Sequence, residues 1–227
     1  MMLGSAQCGS DVWLLDLCAS TRGNIENSPA IPRARSDRAA AASDDSFLLD
    51  PAADHDRMLI RDVCRITHHN EEAYVGALAV IVAIRQMVHD NPGDLGANLL
   101  EVVARSLPDS QVRDRLMAYA CFPHGTLPPA VADSWGSSGF VAESVPLAIL
   151  SAQSNVSQLF ETVILQVVAA GGDTDTVASI TGQIAGARVG VDGLPTELLT
   201  RIDKVGEIRA LADEFASAVE RIQEAPS

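Results

Sequence analysis

The run AAGGDTDTVASITGQIAGARVG, from Ala169 to Gly190, places two carboxylates and a hydroxyl, Asp173, Asp175 and Thr176, within four residues of one another. Hard oxygen donors at that spacing suit Mg²⁺ or Ca²⁺, whereas zinc selects His or Cys. Gly171 and Gly172 end the preceding helix and let the backbone turn tightly. A new helix, Thr176–Val189, then follows, with Gly190 as its C-cap. Its small residues Ala178, Gly182, Ala185 and Gly186 let neighbouring helices come close and hold the loop rigidly. An EF-hand loop is excluded, because its sixth and twelfth positions need Gly and Glu, and counting from Asp173 they hold Ala178 and Ile184. By spacing alone, the same residues serve equally well as a helix start, with Asp173 or Thr174 as cap and Asp175 favouring the dipole.

The elements that must position these residues read as helices throughout. Order begins near Asp56. Leu59, Val63 and Ile66 repeat at helical spacing and predict an amphipathic helix ending at Thr67-His68-His69-Asn70. Asn70 is placed to cap the next helix, and Glu71 and Glu72 suit its positive end. That helix, Glu71 to Val88, is apolar on nearly every side and so belongs in a core. The turn Asn91–Asp94 stops it. Further helices are expected at Leu95–Ser106, Ser110–Tyr119, Phe140–Gln153 and Val156–Ala170, with a short piece after Pro195 and a last one from Ile202 to Ile222. The proline- and glycine-rich stretch Pro123 to Gly139 reads as a loop. Before all of these, Val12–Leu17 is a short apolar run. Thr21–Ser46 is rich in Ala, Ser, Arg and Asp with no apolar period, which predicts disorder. The expected organisation is a divergent segment over 1–55 and one helical domain over 56–227.

Composition agrees with that class. Hydrophobic residues make up 47% of the 227, yet aromatics only 4%. Ala, Val, Leu and Ile therefore build the core, which favours closely packed helices over a β-sandwich. A net charge of −14 repels phosphate backbones and sets nucleic acid aside as a partner. Cys8, Cys18, Cys64 and Cys121 form no CxxC pair and read as reduced thiols. The N-terminus lacks the charged start of a secretory signal, and no run of about 18 apolar residues marks a membrane span. A cytoplasmic location is expected.

GGDTDT followed by a small-residue helix ending IAGARVG resembles the C-terminal signature of the ADP-ribosylglycohydrolase family, which includes the enzyme that reactivates dinitrogenase reductase. Two further segments are similar in the same order. One is Arg65-Ile66-Thr67-His68-His69 with GALAVIVAI from Gly76. The other is Ser137-Ser138-Gly139-Phe140-Val141 followed by Glu143, which resembles an SGYV segment. The resemblance runs from residue 57 to 222. It implies an all-α fold, a compact orthogonal helical bundle incomplete at its N-terminus. It also implies that Asp173, Asp175 and Thr176 ligate one or two Mg²⁺ ions, that His68 touches the phosphates or ribose of ADP-ribose, and that Gly139 and Phe140 line the nucleoside pocket. The residues themselves leave alternatives: His68 suits a helix C-terminus, and Phe140 suits core packing as well as base stacking. Glu143 carries no defined role.

The family pattern also has a second metal cluster upstream, an Asp-Asp-Thr run, and a Gly-Asn-Gly segment. Neither is intact here. Asp44-Asp45 lies too close to His68 in sequence, and Gly23-Asn24 is followed by Ile25. The catalytic residues are therefore unassigned, with the general base expected in the missing N-terminal part. The expected reaction is magnesium-dependent hydrolysis of the glycosidic bond at C1″ of ADP-ribose, on a modified protein or small molecule, through an oxocarbenium-like transition state. The alternatives are an inactive remnant that at most binds ADP-ribose or a partner protein, and a structural helical domain like the family's crystallin-related members. Apolar faces left bare by missing helices predict self-association through an exposed core.

Overall fold

The structure, a computed structural model, describes residues 49–89, 99–154 and 158–223. The stretch Thr21–Ser46 with Asp44-Asp45, the Val12–Leu17 run and the Asn91–Asp94 turn lie outside the described residues. Among the described residues the protein is all-α and contains no strand. The helices are α1 (Asp54–Arg65), α2 (Glu71–His89), α3 (Leu99–Arg105), α4 (Gln111–Ala120), α5 (Pro128–Trp135), α6 (Val141–Gln153), α7 (Phe160–Ala170), α8 (Thr174–Val189), α9 (Thr196–Leu199) and α10 (Val205–Gln223). A 3₁₀ turn, Val191–Gly193, follows α8.

Three helices, α2, α6 and α8, pack on one another and form the centre. On α2, every residue from Tyr74 to Ile84 is buried, as expected of a helix apolar all round. α6 is buried from Ser144 to Ala152, and α8 contributes Val177, Ile180, Ile184 and Ala185. Each fully buried Leu or Ile among them stabilises the fold by about 1.5–3 kcal/mol. The Thr181 hydroxyl, buried on α8, donates to the Val177 carbonyl at 2.7 Å and reaches the Ala148 carbonyl of α6 at 3.4 Å. Of the small residues on α8, Gly182 faces Phe160 and Ile164 of α7, whereas a Cβ on Gly186 would meet nothing within 4 Å. Among the described residues α2 is the one helix long and apolar enough to cross a membrane, and most of it is enclosed by its neighbours.

The junctions explain where the chain turns. The Asn70 side chain accepts from the Glu72 N–H at 3.0 Å and so caps α2. The Glu72 carboxylate does more than favour its own helix. It accepts from the N–H groups of Gln111 (2.9 Å) and Val112 (3.2 Å), capping α4 from across the fold. Gly190, at φ +65°, ends α8.

Two expectations are corrected. The buried face of α1 is Ile60 and Cys64, while Leu59 and Ile66 face outward. Met58, Leu59 and Ile60 are consecutive, so two apolar stripes fit the same period. Ile60 and Cys64 join the core, and beside them the Arg61 guanidinium stacks on the Tyr74 ring of α2. Within the predicted loop Pro123–Gly139, Pro128 to Trp135 forms α5. Prolines in the first turn spend no hydrogen bond there, and Val131 and Ala132 give the helix a buried face.

Burial pushes the Cys64 thiol up to about 11, while Cys121 is exposed. Iodoacetamide at pH 8 is expected to modify Cys121 in the native chain and Cys64 only after denaturation, as read by peptide mass mapping.

Candidate active site

Asp173 stands at the N-cap of α8, after two residues that only glycine holds without strain, Gly171 at φ +69° and Gly172 at φ +73°. The segment Gly136–Phe140, between α5 and α6, lies directly against this turn. The Asp173 N–H donates to the Ser137 carbonyl at 2.7 Å. A Cβ on Gly172 would stand 2.2 Å from that same carbonyl oxygen, and a Cβ on Gly139 would stand 2.7 Å from Asp173 Oδ2. The two motifs, 35 residues apart in the chain, thus share one backbone contact.

The Gly136–Phe140 segment is itself fixed at both ends. The Arg115 guanidinium donates to the Trp135 carbonyl at 2.5 Å and lies 5.0 Å from the centre of its ring. Trp135 in turn packs edge-on against Tyr119 and Phe122. At the other end, the Ser138 hydroxyl accepts from the Phe140 N–H at 3.2 Å and donates to the Glu143 carboxylate at 2.7 Å, which also accepts from the Ser138 N–H at 3.0 Å.

The electrostatics of the acidic pair follow from its position. Asp173 is half-buried and Asp175 exposed. Burial pushes the Asp173 carboxyl above its ordinary range, and the neighbouring Asp175 adds to that. Asp175 is held below its ordinary range, chiefly by its hydrogen bond with Asp173. Two carboxylates in such proximity need a proton or a cation between them. The donors are all hard oxygens, with the buried Thr176 hydroxyl beside them, so the chemistry fits Mg²⁺. Among the described residues, however, no group of three or more His, Cys, Asp or Glu side chains comes together to hold a metal.

Of the residues singled out in the sequence, Asp173, Asp175, Thr176 and Gly139 are brought together. Phe140 is the N-cap of α6, with its ring 40% exposed, which leaves it open to a ligand rather than sealed in the core. His68 belongs to a different junction, between α1 and α2. Its N–H donates to the Cys64 carbonyl at 2.8 Å, and its Nδ1 lies 2.8 Å from the Thr67 hydroxyl. On α2, the helix that follows, Gly76 abuts Val141 at the start of α6. A cavity of about 470 Å³ lies toward the other end of α2, where Arg85 pairs with Asp50, away from this chemistry. Sequence reasoning missed Ser137, Ser138 and Glu143 as partners. A Ser followed five residues later by a Glu, across a loop–helix junction, was the available signal, since it is a displaced form of the capping box.

Replacing Gly139 with Ala tests the contact. The new methyl meets the free end of the Asp173 side chain, which can swing away at little cost to the fold. Thermal melts are expected to change by no more than a degree or two (~0.5 kcal/mol), while any Mg²⁺ affinity of the site is expected to fall about 10- to 100-fold.

The family model for ADP-ribosylglycohydrolase matches residues 29–225. A curated relative, ADP-ribosylarginine hydrolase Tri1 of Pseudomonas putida (strain GB-1), is 32% identical over 92 residues, 40% of this chain and 24% of that protein. ADP-ribosyl-[dinitrogen reductase] glycohydrolase of Rhodospirillum rubrum is 40% identical over 48 residues, 21% of this chain and 16% of that protein. The matched stretches span less than a quarter of either relative. Matched by that family model over most of its length, the chain belongs to the ADP-ribosylglycohydrolase family.

Proposed function

We propose that the chain is a magnesium-dependent hydrolase that frees ADP-ribose from a modified protein or small molecule by cleaving the glycosidic bond at C1″. The observation that carries this reading is the pair Asp173 and Asp175, with Thr176, held against Gly139 at the start of α8. Both relatives are named for the removal of ADP-ribose, one from arginine and one from dinitrogen reductase. In the reaction the bond from C1″ to the leaving nitrogen or oxygen breaks. Water gives its oxygen to C1″ and a proton to the leaving atom.

Asp173, Asp175 and Thr176 would hold the ion. When bound, Mg²⁺ supplies positive charge that orients ribose hydroxyls and steadies charge developing in the transition state. The chain itself supplies the rest of the setting. The Ser137 carbonyl fixes the Asp173 backbone, and the missing Cβ of Gly139 leaves room for its carboxylate. The exposed Phe140 ring offers a face to the nucleoside. His68, at the α1–α2 junction, would donate to a phosphate or ribose oxygen.

A second reading, an ADP-ribose binder without hydrolysis, is favoured by one observation: the described residues bring together two acidic side chains and not three. Incubation with ADP-ribosylarginine and Mg²⁺ separates the two. Release of free ADP-ribose that stops on chelation supports the hydrolase. Retention of intact substrate by a folded, magnesium-loaded chain establishes the binder.

A further inference from the structure

The Glu143 carboxylate holds the segment Gly136–Phe140, which lies against Asp173. It lies on the first turn of α6, accepts both the N–H and the O–H of Ser138, and fills the space beside Gly136, where a Cβ would come within 2.5 Å of it. Gly136 has φ +87°, so the chain there follows a path that glycine alone takes easily. Through these contacts the short stretch Gly136–Phe140 has little freedom left. The residue before Ser138 gives its carbonyl to the Asp173 N–H, and the residue after it supplies the gap that Asp173 Oδ2 occupies. One carboxylate therefore fixes, from opposite sides of Ser138, both the backbone and the side chain of Asp173.

We propose that Glu143 is a positioning residue, which holds Asp173 in the place and orientation needed to ligate the ion by locking Ser138 and, with it, Ser137 and Gly139. This rests on the magnesium reading above and adds the group that aims the ligand. The Ser138 bonds keep Glu143 ionised, its carboxyl sitting below the ordinary range mainly through the Ser138 N–H and then its hydroxyl. A charged acceptor makes the stronger hydrogen bond. A group that orients a metal ligand typically governs 10- to 100-fold in metal affinity.

The test compares the whole chain with Glu143→Ala and Glu143→Gln, using amide hydrogen exchange in metal-free buffer and Mg²⁺ titration. In Glu143→Ala the Asp173 amide is expected to exchange at least ~10-fold faster while Ile184, buried on α8, is unchanged, and Mg²⁺ affinity to fall ~10-fold or more. Glu143→Gln keeps an acceptor oxygen at the same length and is expected to recover most of both losses. An Asp173 amide that exchanges at the wild-type rate in Glu143→Ala overturns the proposal, and so does unchanged Mg²⁺ affinity. Faster exchange at Ile184 as well overturns it in favour of a role in general stability. A wild-type chain that takes up no Mg²⁺ overturns the magnesium reading on which the proposal rests, and the exchange data then report the Glu143–Asp173 coupling separately.

Discussion

Gly172→Ala is expected to destabilise the chain by about 2–4 kcal/mol and to abolish magnesium binding in the molecules that remain folded. Two costs add. A side chain at φ +73° sits in the left-handed region, at about 1–2 kcal/mol. The added Cβ would also stand 2.2 Å from the Ser137 carbonyl oxygen, a backbone atom that no rotamer change moves aside. The two loops must part, and the hydrogen bond from the Asp173 N–H to Ser137 goes with them, at about 0.5–1.5 kcal/mol. Gly171→Ala is the internal control. Its φ is nearly the same, +69°, but a Cβ there would meet nothing within 4 Å. Its ψ of −166° puts it in a region that glycine alone takes easily, and the substitution is expected to cost that strain only, about 1–3 kcal/mol. Urea denaturation reads both as a lower midpoint at unchanged slope. A loss of no more than about 1–2 kcal/mol in Gly172→Ala, with Mg²⁺ titration unchanged, would mean that the contact with Ser137 contributes nothing.

The double variant Asp173→Ala, Asp175→Ala is expected to behave in the opposite way, losing function while keeping or gaining stability. Burial and the neighbouring Asp175 outweigh what the Asp173 carboxyl gains from the Thr176 N–H and hydroxyl in the first turn of α8, so little capping is lost. What is removed is a partly desolvated carboxyl beside a second one. In metal-free buffer the unfolding midpoint should equal or exceed that of the wild type. Under the proposed magnesium reading, saturating Mg²⁺ at about 100 times its dissociation constant is expected to add about 2.7 kcal/mol to the wild type, or about 5–10 °C for a chain of this size, and nothing to the variant. The pH dependence has a definite sign. The Asp173 carboxyl is raised above 3.8 in the fold, so the folded chain keeps a proton that the unfolded chain has released. That contribution is present below 3.8 and is lost as pH rises through the raised value. Metal-free wild type should lose this component of stability on going up in pH from 3.8, and the double variant should not. Magnesium, which replaces the proton, should bind more tightly along the same rise.

The central helices were legible because their chemistry is local. Glu71–His89 is apolar on all sides and has no other place to go than the core, and Asn70 names its start. The turn at Gly171–Gly172 was legible for the same reason, since it joins adjacent residues. The phase of α1 was not, because Met58, Leu59 and Ile60 offer the period two solutions. What decides between them is the packing of Ile60 and Cys64 into the core, a contact between helices. α5 was hidden by Pro128 and Pro129, which read as loop residues in composition yet suit the first turn of a helix. In the site, Asp173, Asp175 and Thr176 stood out by spacing and resemblance, but what holds them in place could not be read. The Ser137 carbonyl, the space beside Gly139 and the Glu143 carboxylate act across 35 residues of chain, and their types alone say nothing of whom they face.

The central claim is that Asp173 and Asp175 at the start of α8 bind ADP-ribose through magnesium. Isothermal titration of ADP-ribose into the chain, with Mg²⁺ and after chelation, tests it most directly. The expected result is a binding heat that appears with Mg²⁺, vanishes on chelation and is absent from Asp173→Ala, Asp175→Ala. Binding of equal strength in the double variant, or in the presence of chelator, would contradict the claim and place the ligand elsewhere on the molecule.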